Sequence, residues 1–380
     1  MDIYHLGHHL IHFKVKKDLK EIYLSMFIRT LAISMIGIFV PIYLLKEIGY
    51  SLVQVFYFYI LFAVFFGVLT PFAAKLSSKI GSKHSILLSV PFYLGFYIML
   101  YSLTIYNWSV YSVAAAGGAA NAVFWIAFHT DFAKNSSKRH RGEQIGIWYS
   151  IATLISLFGP VIGGVILSSV LGFKFLFLIV GILLVGATIP LFFSKDIYEP
   201  ATFSLKYIFR RDHFKDAVSY IGAGMKGYGF EVLWPIFIFS LLGTYLDLGI
   251  IASVAATFGV VFMFIVGRYA DVIGKSKLIR TGSILNSITW FVLIFARTIE
   301  QVFGVSVFAH LTSTLVDVPF NARVYDKASK SKGNLAEYFV FREIMLVVGR
   351  VLLLGLVILI GTIGSGFVLT GFASLLHMLL

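Results

Sequence analysis

Gly267-Arg268-Tyr269-Ala270-Asp271-Val272-Ile273-Gly274-Lys275-Ser276-Lys277 is a short basic turn between two long apolar runs. A weaker copy, Ala74-Lys75-Leu76-Ser77-Ser78-Lys79-Ile80-Gly81-Ser82-Lys83, lies 193 residues earlier and again separates two apolar runs. Acidic residues recur at nearly the same offset: Asp131 with Asp326 and Glu143 with Glu337. The 380-residue chain is therefore interpreted as a duplication of a unit of half its length.

The composition points to a membrane protein. Apolar residues make up 59% of the chain and charged residues only 13%, far from the balance of a soluble domain. The net charge of +13 does not indicate a nucleic-acid binder, because the basic residues lie in short loops rather than on one water-exposed face. The absence of cysteine excludes disulfides and thiolate metal sites. We expect neither a cofactor nor a metal ion.

The first 21 residues predict a cytoplasmic amphipathic lead-in lying on the membrane surface. Histidines and lysines alternate there with apolar residues, a pattern typical of an interfacial segment. The four histidines His5, His8, His9 and His12 could also bind a metal ion, although no carboxylate or thiolate accompanies them.

Twelve stretches are long and apolar enough to cross a bilayer, and their continuous apolar character predicts helices rather than barrel strands. The predicted spans are 22–45, 52–74, 85–105, 108–130, 144–169, 172–193, 217–242, 247–267, 279–298, 302–324, 335–361 and 364–380. The polar stretch 194–216 is the expected cytoplasmic linker. It divides the chain into an N-terminal bundle, 22–193, and a C-terminal bundle, 217–380.

The distribution of basic residues predicts the orientation. With the N-terminus inside, the cytoplasmic segments contain 24 lysines and arginines, and the outer loops contain only Lys46, Lys174 and Arg297. This positive-inside bias predicts that both termini are cytoplasmic. Each half then has six spans, so the halves enter the membrane in the same direction, as parallel repeats. We therefore expect an all-α polytopic protein in the cytoplasmic membrane.

The turn and its copy resemble the signature of the major facilitator superfamily, and the likeness extends over the whole chain. Gly267, Asp271, Gly274 and Lys275 match the superfamily's motif after the second helix of a half, and Lys79, Gly81 and Lys83 match it in the first half. Ser78 replaces the motif's aspartate. The resemblance implies a twelve-helix secondary transporter, a gating role for these residues, and a monomer. An anchor without a gating role is the alternative.

Two further elements resemble the superfamily. Gly159, Pro160, Gly163 and Gly164 in the fifth helix are similar to the hinge motif of drug and proton antiporters, although helix packing alone also explains small residues there. The antiporters' arginine in the fourth helix is missing. Asp131 and Asp326, each followed by basic residues, are similar to acid and arginine pairs at the cytoplasmic ends of facilitator halves, unless they are solvated loop charges.

Ionisable residues inside the spans are the candidates for substrate and proton coupling, because a charge in hydrocarbon usually faces a cavity or a partner. They are Arg29, Lys226, Glu231, Asp317, Arg342, Glu343 and Arg350. Glu231 is the first choice, because it lies near the midplane in a glycine-rich, breakable helix. A static ion pair with Arg350, or less favourably with Lys226 five residues earlier on the same helix, is the alternative. Asp317 is second, and Arg342 is its expected partner.

By resemblance, helices 1, 4, 7 and 10 line the substrate cavity. This places Arg29, Glu231 and Asp317 within reach of substrate, although Arg29 could instead extend to the membrane surface. Asn121, Trp125 and His129 fall on one face of the fourth helix at a spacing of four, and they are expected to line the cavity or to pack against a neighbouring helix.

These patterns predict a secondary transporter that moves a small polar or zwitterionic solute by alternating access, coupled to protons and surrounded by membrane lipids. Proton-coupled multidrug efflux is the first alternative. A lipid flippase or a non-transporting sensor on the same scaffold is the alternative of another class. A membrane enzyme is disfavoured, because neither His129 with Asp131 nor His310 with Asp317 has the spacing of a catalytic set.

Overall fold

The computed structural model describes residues 17–136, 144, 148, 151, 153–155, 157–193, 196–199, 213–330 and 335–380, without the side chains of 17–19, 261 and 263–273. The described residues form twelve helical spans and no strand. Their helices are α1 Lys17–Ile36, α2 Leu52–Ile80, α3 Ser82–Ser102, α4 Val110–Asn135, α5 Gly159–Leu167, α6 Gly172–Gly186, α7 Phe214–Tyr228, α8 Tyr245–Ile273, α9 Lys275–Leu293, α10 Ile299–Lys330, α11 Leu335–Ile360 and α12 Ile363–Leu375.

Three spans continue beyond an irregular turn. After α1, a 3₁₀ turn at Gly37–Phe39 leads into a short helix, Val40–Lys46, and α7 passes through a π turn at Gly229–Leu233 into Trp234–Leu242. The 3₁₀ turn Leu376–Leu379 extends α12. Eight spans are long and apolar enough to cross a membrane, and three of the others are shorter apolar helices. The predicted fold of twelve transmembrane helices is confirmed.

Some helices are longer than the predicted spans. Helix α2 continues to Ile80 and α10 continues to Lys330, six residues beyond the predicted ends at 74 and 324. An apolar window marks only the part of a helix inside hydrocarbon, whereas the backbone hydrogen bonds continue into the polar flank. The predicted lead-in and linker lie largely outside the described residues, and those two boundaries remain predictions.

The helix contacts reveal the internal repeat. Within the first half α2 packs on α4, α3 on α4, α1 on α5, α1 on α6 and α3 on α6. Adding six to each number gives the contacts of the second half, from α8 on α10 to α9 on α12. The halves meet where α2 packs on α11 and where α5 packs on α8. The counterpart of α2 is α8 and that of α11 is α5, so the repeat relates these two contacts to each other. The two bundles are thus related by a pseudo-twofold axis.

Glycines in the matched turns define one end of the molecule. Gly81 connects α2 to α3 with φ of +93°, and Gly274 connects α8 to α9 with φ of +87°. Only glycine adopts this region without steric strain, so both copies of the turn reverse the chain in the same way. We call this the basic end, since the turns after even-numbered helices carry the basic residues. The other is the opposite end.

Candidate transport pathway

Glu231 lies in the π turn of α7, near the middle of the span. Pro235 has no N–H to donate to the Glu231 carbonyl four residues earlier, which breaks the regular helix at this position. The Glu231 side chain is exposed although it lies deep among the helices. It is within electrostatic range of Arg350 on α11 and of Tyr59, which belongs to α2 of the other half. Glu231 therefore lies where α7 comes close to α2 of the first half.

Arg350 approaches the same region from α11. Its guanidinium lies 5.3 Å from the ring centre of Tyr228 and 5.5 Å from that of Phe66 on α2. Its Nε atom has no hydrogen-bond partner among the described residues. The Tyr228 hydroxyl donates to the Tyr59 carbonyl at 3.1 Å. Glu231 and Arg350 are thus close in space without a direct ion pair.

Asp317 pairs with Lys226, so the prediction that Arg342 is its partner is wrong. Lys226 Nζ on α7 lies 2.8 Å from Asp317 Oδ1 on α10. The ammonium side chain is 6% exposed and the aspartate 38%, so Asp317 forms the accessible face of the pair. The histidines His310 and His377 are both within electrostatic range of it.

The expected depth of Asp317 also needs correction. The predicted tenth span ends at 324, which would put Asp317 only seven residues from the basic end. Because α10 continues to Lys330, Asp317 lies 13 residues from that end, and Lys226 lies 12 residues from the start of α7. At about 1.5 Å per residue the two side chains are level with each other, roughly 20 Å along their helices.

Arg342 and Glu343 belong to a contact between the halves near the basic end. The two side chains pair with each other, and Glu343 Oε1 lies 3.4 Å from Nε2 of His129 on α4. Arg342 Nη1 approaches the same nitrogen at 3.2 Å. The other ring nitrogen of His129, Nδ1, lies 2.6 Å from the Tyr325 hydroxyl on α10. His129 therefore connects the first half to two helices of the second.

The predicted face of α4 forms a continuous series of contacts. Trp125 Nε1 donates to Asn121 Oδ1 at 3.1 Å, and the Trp125 ring stacks on His129 with 5.3 Å between ring centres. Asn121 and Trp125 are both half-buried. This series extends from the middle of the span to the contact at the basic end.

Arg29 is turned into the first half rather than towards Glu231 or Asp317. Its Nη2 donates to the Tyr93 hydroxyl at 2.6 Å, and its guanidinium lies 3.6 Å from the ring centre of Phe124. Only 7% of the residue is exposed. The alternative in which Arg29 extends to the membrane surface does not describe this conformation.

The two copies of the turn motif differ in their contacts. Lys79 is exposed whereas Lys83 is 2% exposed, so Lys83 does not face lipid headgroups as a surface anchor would. In the second copy Lys275 Nζ lies 3.7 Å from Asp326 Oδ2 at the end of α10. The backbone of Gly267 and Asp271 is helical in α8, and the Asp271 side chain lies outside the described part of the structure.

Asp131 is not a loop charge. It lies in α4, is fully buried, and accepts a hydrogen bond from Asn135 at 3.0 Å. The solvated alternative is therefore wrong for this residue. The basic residues expected to pair with Asp131 and Asp326 lie at 138–141 and 332, outside the described residues.

The predicted hinge motif forms two close helix contacts. A Cβ on Gly159 would lie 1.9 Å from Ser34 Oγ, and one on Gly163 would lie 2.0 Å from the Met35 carbonyl oxygen, both on α1. On the other face a Cβ on Gly164 would lie 2.8 Å from the Tyr245 carbonyl oxygen, at the start of α8. Pro160 stands at the beginning of α5. The Val161 N–H lies in the first turn of α5, where it has no acceptor within its own helix, and it donates to Ser253 Oγ of α8 at 3.1 Å.

Sequence reasoning missed two residues that the fold brings to these sites, His377 and Asp196. It identified Lys226 as an ionisable residue within a span but did not predict that Lys226 pairs with Asp317. Asp196, near the start of the predicted linker, accepts hydrogen bonds from the backbone N–H groups of Lys83 and His84 at the start of α3. No spacing along the chain indicates these contacts, although the lack of an aspartate at Ser78 points to a carboxylate from elsewhere. Among the described residues, no group of three histidines or carboxylates could bind a metal ion.

Three comparisons extend these observations. The model of the family described as Major Facilitator Superfamily matches residues 22–211, half of the chain. The uncharacterized protein YqgE of Bacillus subtilis (strain 168) is 22% identical over 335 residues, which cover 85% of this chain and 77% of that protein. The crystal structure of the human organic anion transporter MFSD10 (TETRAN) has a TM-score of 0.72 at 11% identity, covering 96% of this chain and 99% of that one. The last likeness indicates a shared fold.

Proposed function

Because this chain belongs to the Major Facilitator Superfamily, it is a membrane transporter, and we propose that it moves a small polar or zwitterionic solute by alternating access coupled to protons. The observation that carries the proposal is the exposed carboxylate of Glu231 in a broken helix between the halves. An exposed acid at this depth is able to meet both water and solute. Arg350 opposite it supplies the positive charge that a zwitterion also requires.

Asp317 is the second coupling group. Its ion pair with Lys226 leaves the carboxylate accessible and the ammonium buried. Protonation of Asp317, or the approach of a cationic group of the solute, would weaken the pair and leave a buried ammonium without a counter-ion. Such a state is unfavourable, so it favours a rearrangement of α7 against α10. This gives binding a way to change the conformation.

Contacts between the two halves close both ends of the molecule, and these contacts must break for a pathway to open. At the basic end His129 joins Tyr325 and Glu343 across the halves. At the opposite end the Tyr245 hydroxyl donates to Glu47 at 2.8 Å, and the Tyr245 ring packs against Phe39 and Phe173 of the first half. Alternating access requires these two sets of contacts to separate in turn.

The test is proton-coupled uptake in liposomes that contain an internal pH-sensitive dye. The uptake of three probes, an amino-acid mixture, a sugar mixture and ethidium, is measured for wild type, Glu231→Gln and Asp317→Asn. In each neutralised variant the proton flux that the transported probe induces should fall at least about tenfold, since a coupling acid must ionise. The control is Glu300→Gln, an exposed carboxylate at the start of α10, which should transport like wild type.

The probes also separate the alternatives. A proton flux that ethidium induces and the other two probes do not would favour multidrug efflux. Lipid scrambling without solute flux would favour a flippase. If Glu231→Gln and Asp317→Asn both retain full proton-driven uptake, the assignment of these residues is wrong.

A further inference from the structure

His129 joins the two halves at the basic end through both nitrogens of its ring. Nδ1 lies 2.6 Å from the Tyr325 hydroxyl on α10. Nε2 lies 3.2 Å from Arg342 Nη1 and 3.4 Å from Glu343 Oε1, both on α11. The side chains of His129 and Glu343 are only 4% and 3% exposed. Water is therefore largely excluded from this contact, and a charge on the ring must be balanced by protein groups.

The charges around the ring cancel while the ring is neutral. Arg342 pairs with Glu343, so one guanidinium and one carboxylate balance each other. A proton on His129 would place a second positive charge beside that guanidinium, which lies 3.2 Å from Nε2. Like charges at this separation repel strongly where water is excluded. The closed contact therefore favours a neutral ring.

The hydrogen bonds of the ring depend on the same proton. A guanidinium donates and does not accept, so Nε2 can accept from Arg342 only when it carries no proton. In that state the single ring proton is on Nδ1, which donates to the Tyr325 hydroxyl. A second proton, on Nε2, removes the acceptor for Arg342 and turns the ring into a donor towards Glu343. Protonation thus makes His129 and Arg342 compete for one carboxylate.

The other helices around His129 supply no compensating charge. Helices α1, α2 and α3 also pack against α4. Helices α2 and α3 contain no acidic residue, and their lysines and Arg29 of α1 carry the same sign as the added proton. Glu21 of α1 and Asp131 of α4 are not among the groups that act on the ring. Among the described residues, Glu343 is thus the one carboxylate that a proton on His129 meets.

We propose that His129 is a third proton-binding site, besides Glu231 and Asp317, and that its protonation releases the contact between the halves at the basic end. The neutral ring holds this end closed through Tyr325 and Arg342. When the halves separate, water reaches the ring and supplies a proton to Nε2, and closure returns that proton to water. The inference rests on the proposed alternating access, because it couples the opening of one end to proton uptake on that side.

The test measures the distance between two spin labels at the basic end of the purified full-length protein in lipid nanodiscs. Lys75 on α2 and Lys277 on α9 are exposed, lie in opposite halves and are both replaced by cysteine in a chain that has no other thiol. The pH is lowered from about 8 to about 5, the range in which histidine ordinarily gains its proton. The ratio of the longer to the shorter distance should rise about tenfold or more, since coupling to one proton permits up to about tenfold per pH unit.

Two variants and a control locate the effect. His129→Gln cannot take up the proton, so its distances should not change with pH and should resemble those of wild type at the highest pH. Glu343→Gln leaves Arg342 beside the ring without its counter-ion, so the longer distance should already prevail at the highest pH. The matched control is His84→Gln, which removes an exposed histidine at the start of α3 near the same end and should respond to pH like wild type.

The distance measurement needs no transported solute, so its outcome is independent of the uptake assay for Glu231 and Asp317. The inference is overturned if wild type shows no change with pH, if it closes as the pH falls, or if His129→Gln responds like wild type. If His129→Gln does not fold, Glu343→Gln decides, and distances equal to those of wild type at the highest pH overturn the inference. A loss of the pH response in His84→Gln as large as that in His129→Gln also overturns it.

Discussion

Asp196 supplies the carboxylate that the first copy of the turn motif lacks. It accepts hydrogen bonds from the N–H groups of Lys83, at 2.8 Å, and His84, at 3.1 Å, and its Oδ2 lies 2.5 Å from His84 Nδ1. The free N–H groups at the start of a helix favour a negative charge. A residue that follows α6 in the chain thereby caps α3.

The first prediction concerns this cap. Burial raises the pKa of Asp196, but the hydrogen bonds from Lys83, His84 and Ile197 outweigh burial and hold the pKa below its ordinary value of 3.8. A lowered pKa in the folded state means that the carboxylate stabilises the protein at neutral pH. This stabilisation is lost as the pH falls through the ordinary value towards the lowered one.

We expect Asp196→Asn to lower the free energy of unfolding by about 1–2 kcal/mol at pH 7, the range found for lost helix caps. The measurement is thermal unfolding in detergent at pH 7 and at about pH 3, where the difference between wild type and variant should shrink. A difference between wild type and Asp196→Asn that stays constant over this pH range would contradict the ionised cap.

At the scale of the helices, glycine contacts repeat in both halves. Helix α5 approaches α1 through Gly159 and Gly163, and α11 approaches α7 through Gly349 and Gly224. A Cβ on Gly349 would lie 2.0 Å from the Ile221 carbonyl oxygen, as close as the one on Gly163 to Met35. Small residues let helix backbones approach each other where the lipid provides no hydrophobic driving force. Close packing therefore explains the motif in α5 whether or not it also acts as a hinge.

The second prediction follows from the closeness of this contact. Gly163→Ala should destabilise the protein by about 1–3 kcal/mol, because the added methyl group meets a backbone carbonyl that cannot move aside. Gly304→Ala in α10 is the matched control, since no atom apart from the neighbouring backbone of its own helix lies within 4 Å of its Cβ position. That control should be neutral or slightly stabilising, as glycine is less favourable than alanine inside a helix. Equal unfolding temperatures for the two variants would contradict the packing explanation.

At the scale of the whole molecule, the two bundles are related by a pseudo-twofold axis and touch at both ends. The distribution of basic residues predicts that the basic end of this assembly faces the cytoplasm. A chain without cysteine is well suited to test this, because a single introduced cysteine is then the only thiol.

The third prediction is the labelling pattern of two such variants. Asn107→Cys lies in an exposed loop at the opposite end, and Lys277→Cys is exposed at the start of α9. In intact cells a membrane-impermeant maleimide should label Asn107→Cys readily. Lys277→Cys should be labelled only after the membrane is permeabilised. The reverse pattern would show that the protein has the opposite orientation.

The sequence by itself determined the twelve spans, their division into two repeats and the superfamily, because hydrocarbon requires long apolar helices and duplication leaves matched turns. It also identified Glu231 and Asp317 as ionisable residues within the spans. Only the tertiary structure decided their partners: Lys226 instead of Arg342 for Asp317, and aromatic rings for Arg29. Pairing depends on how each helix is rotated and where it ends, and these are set by contacts between helices that are distant in the chain.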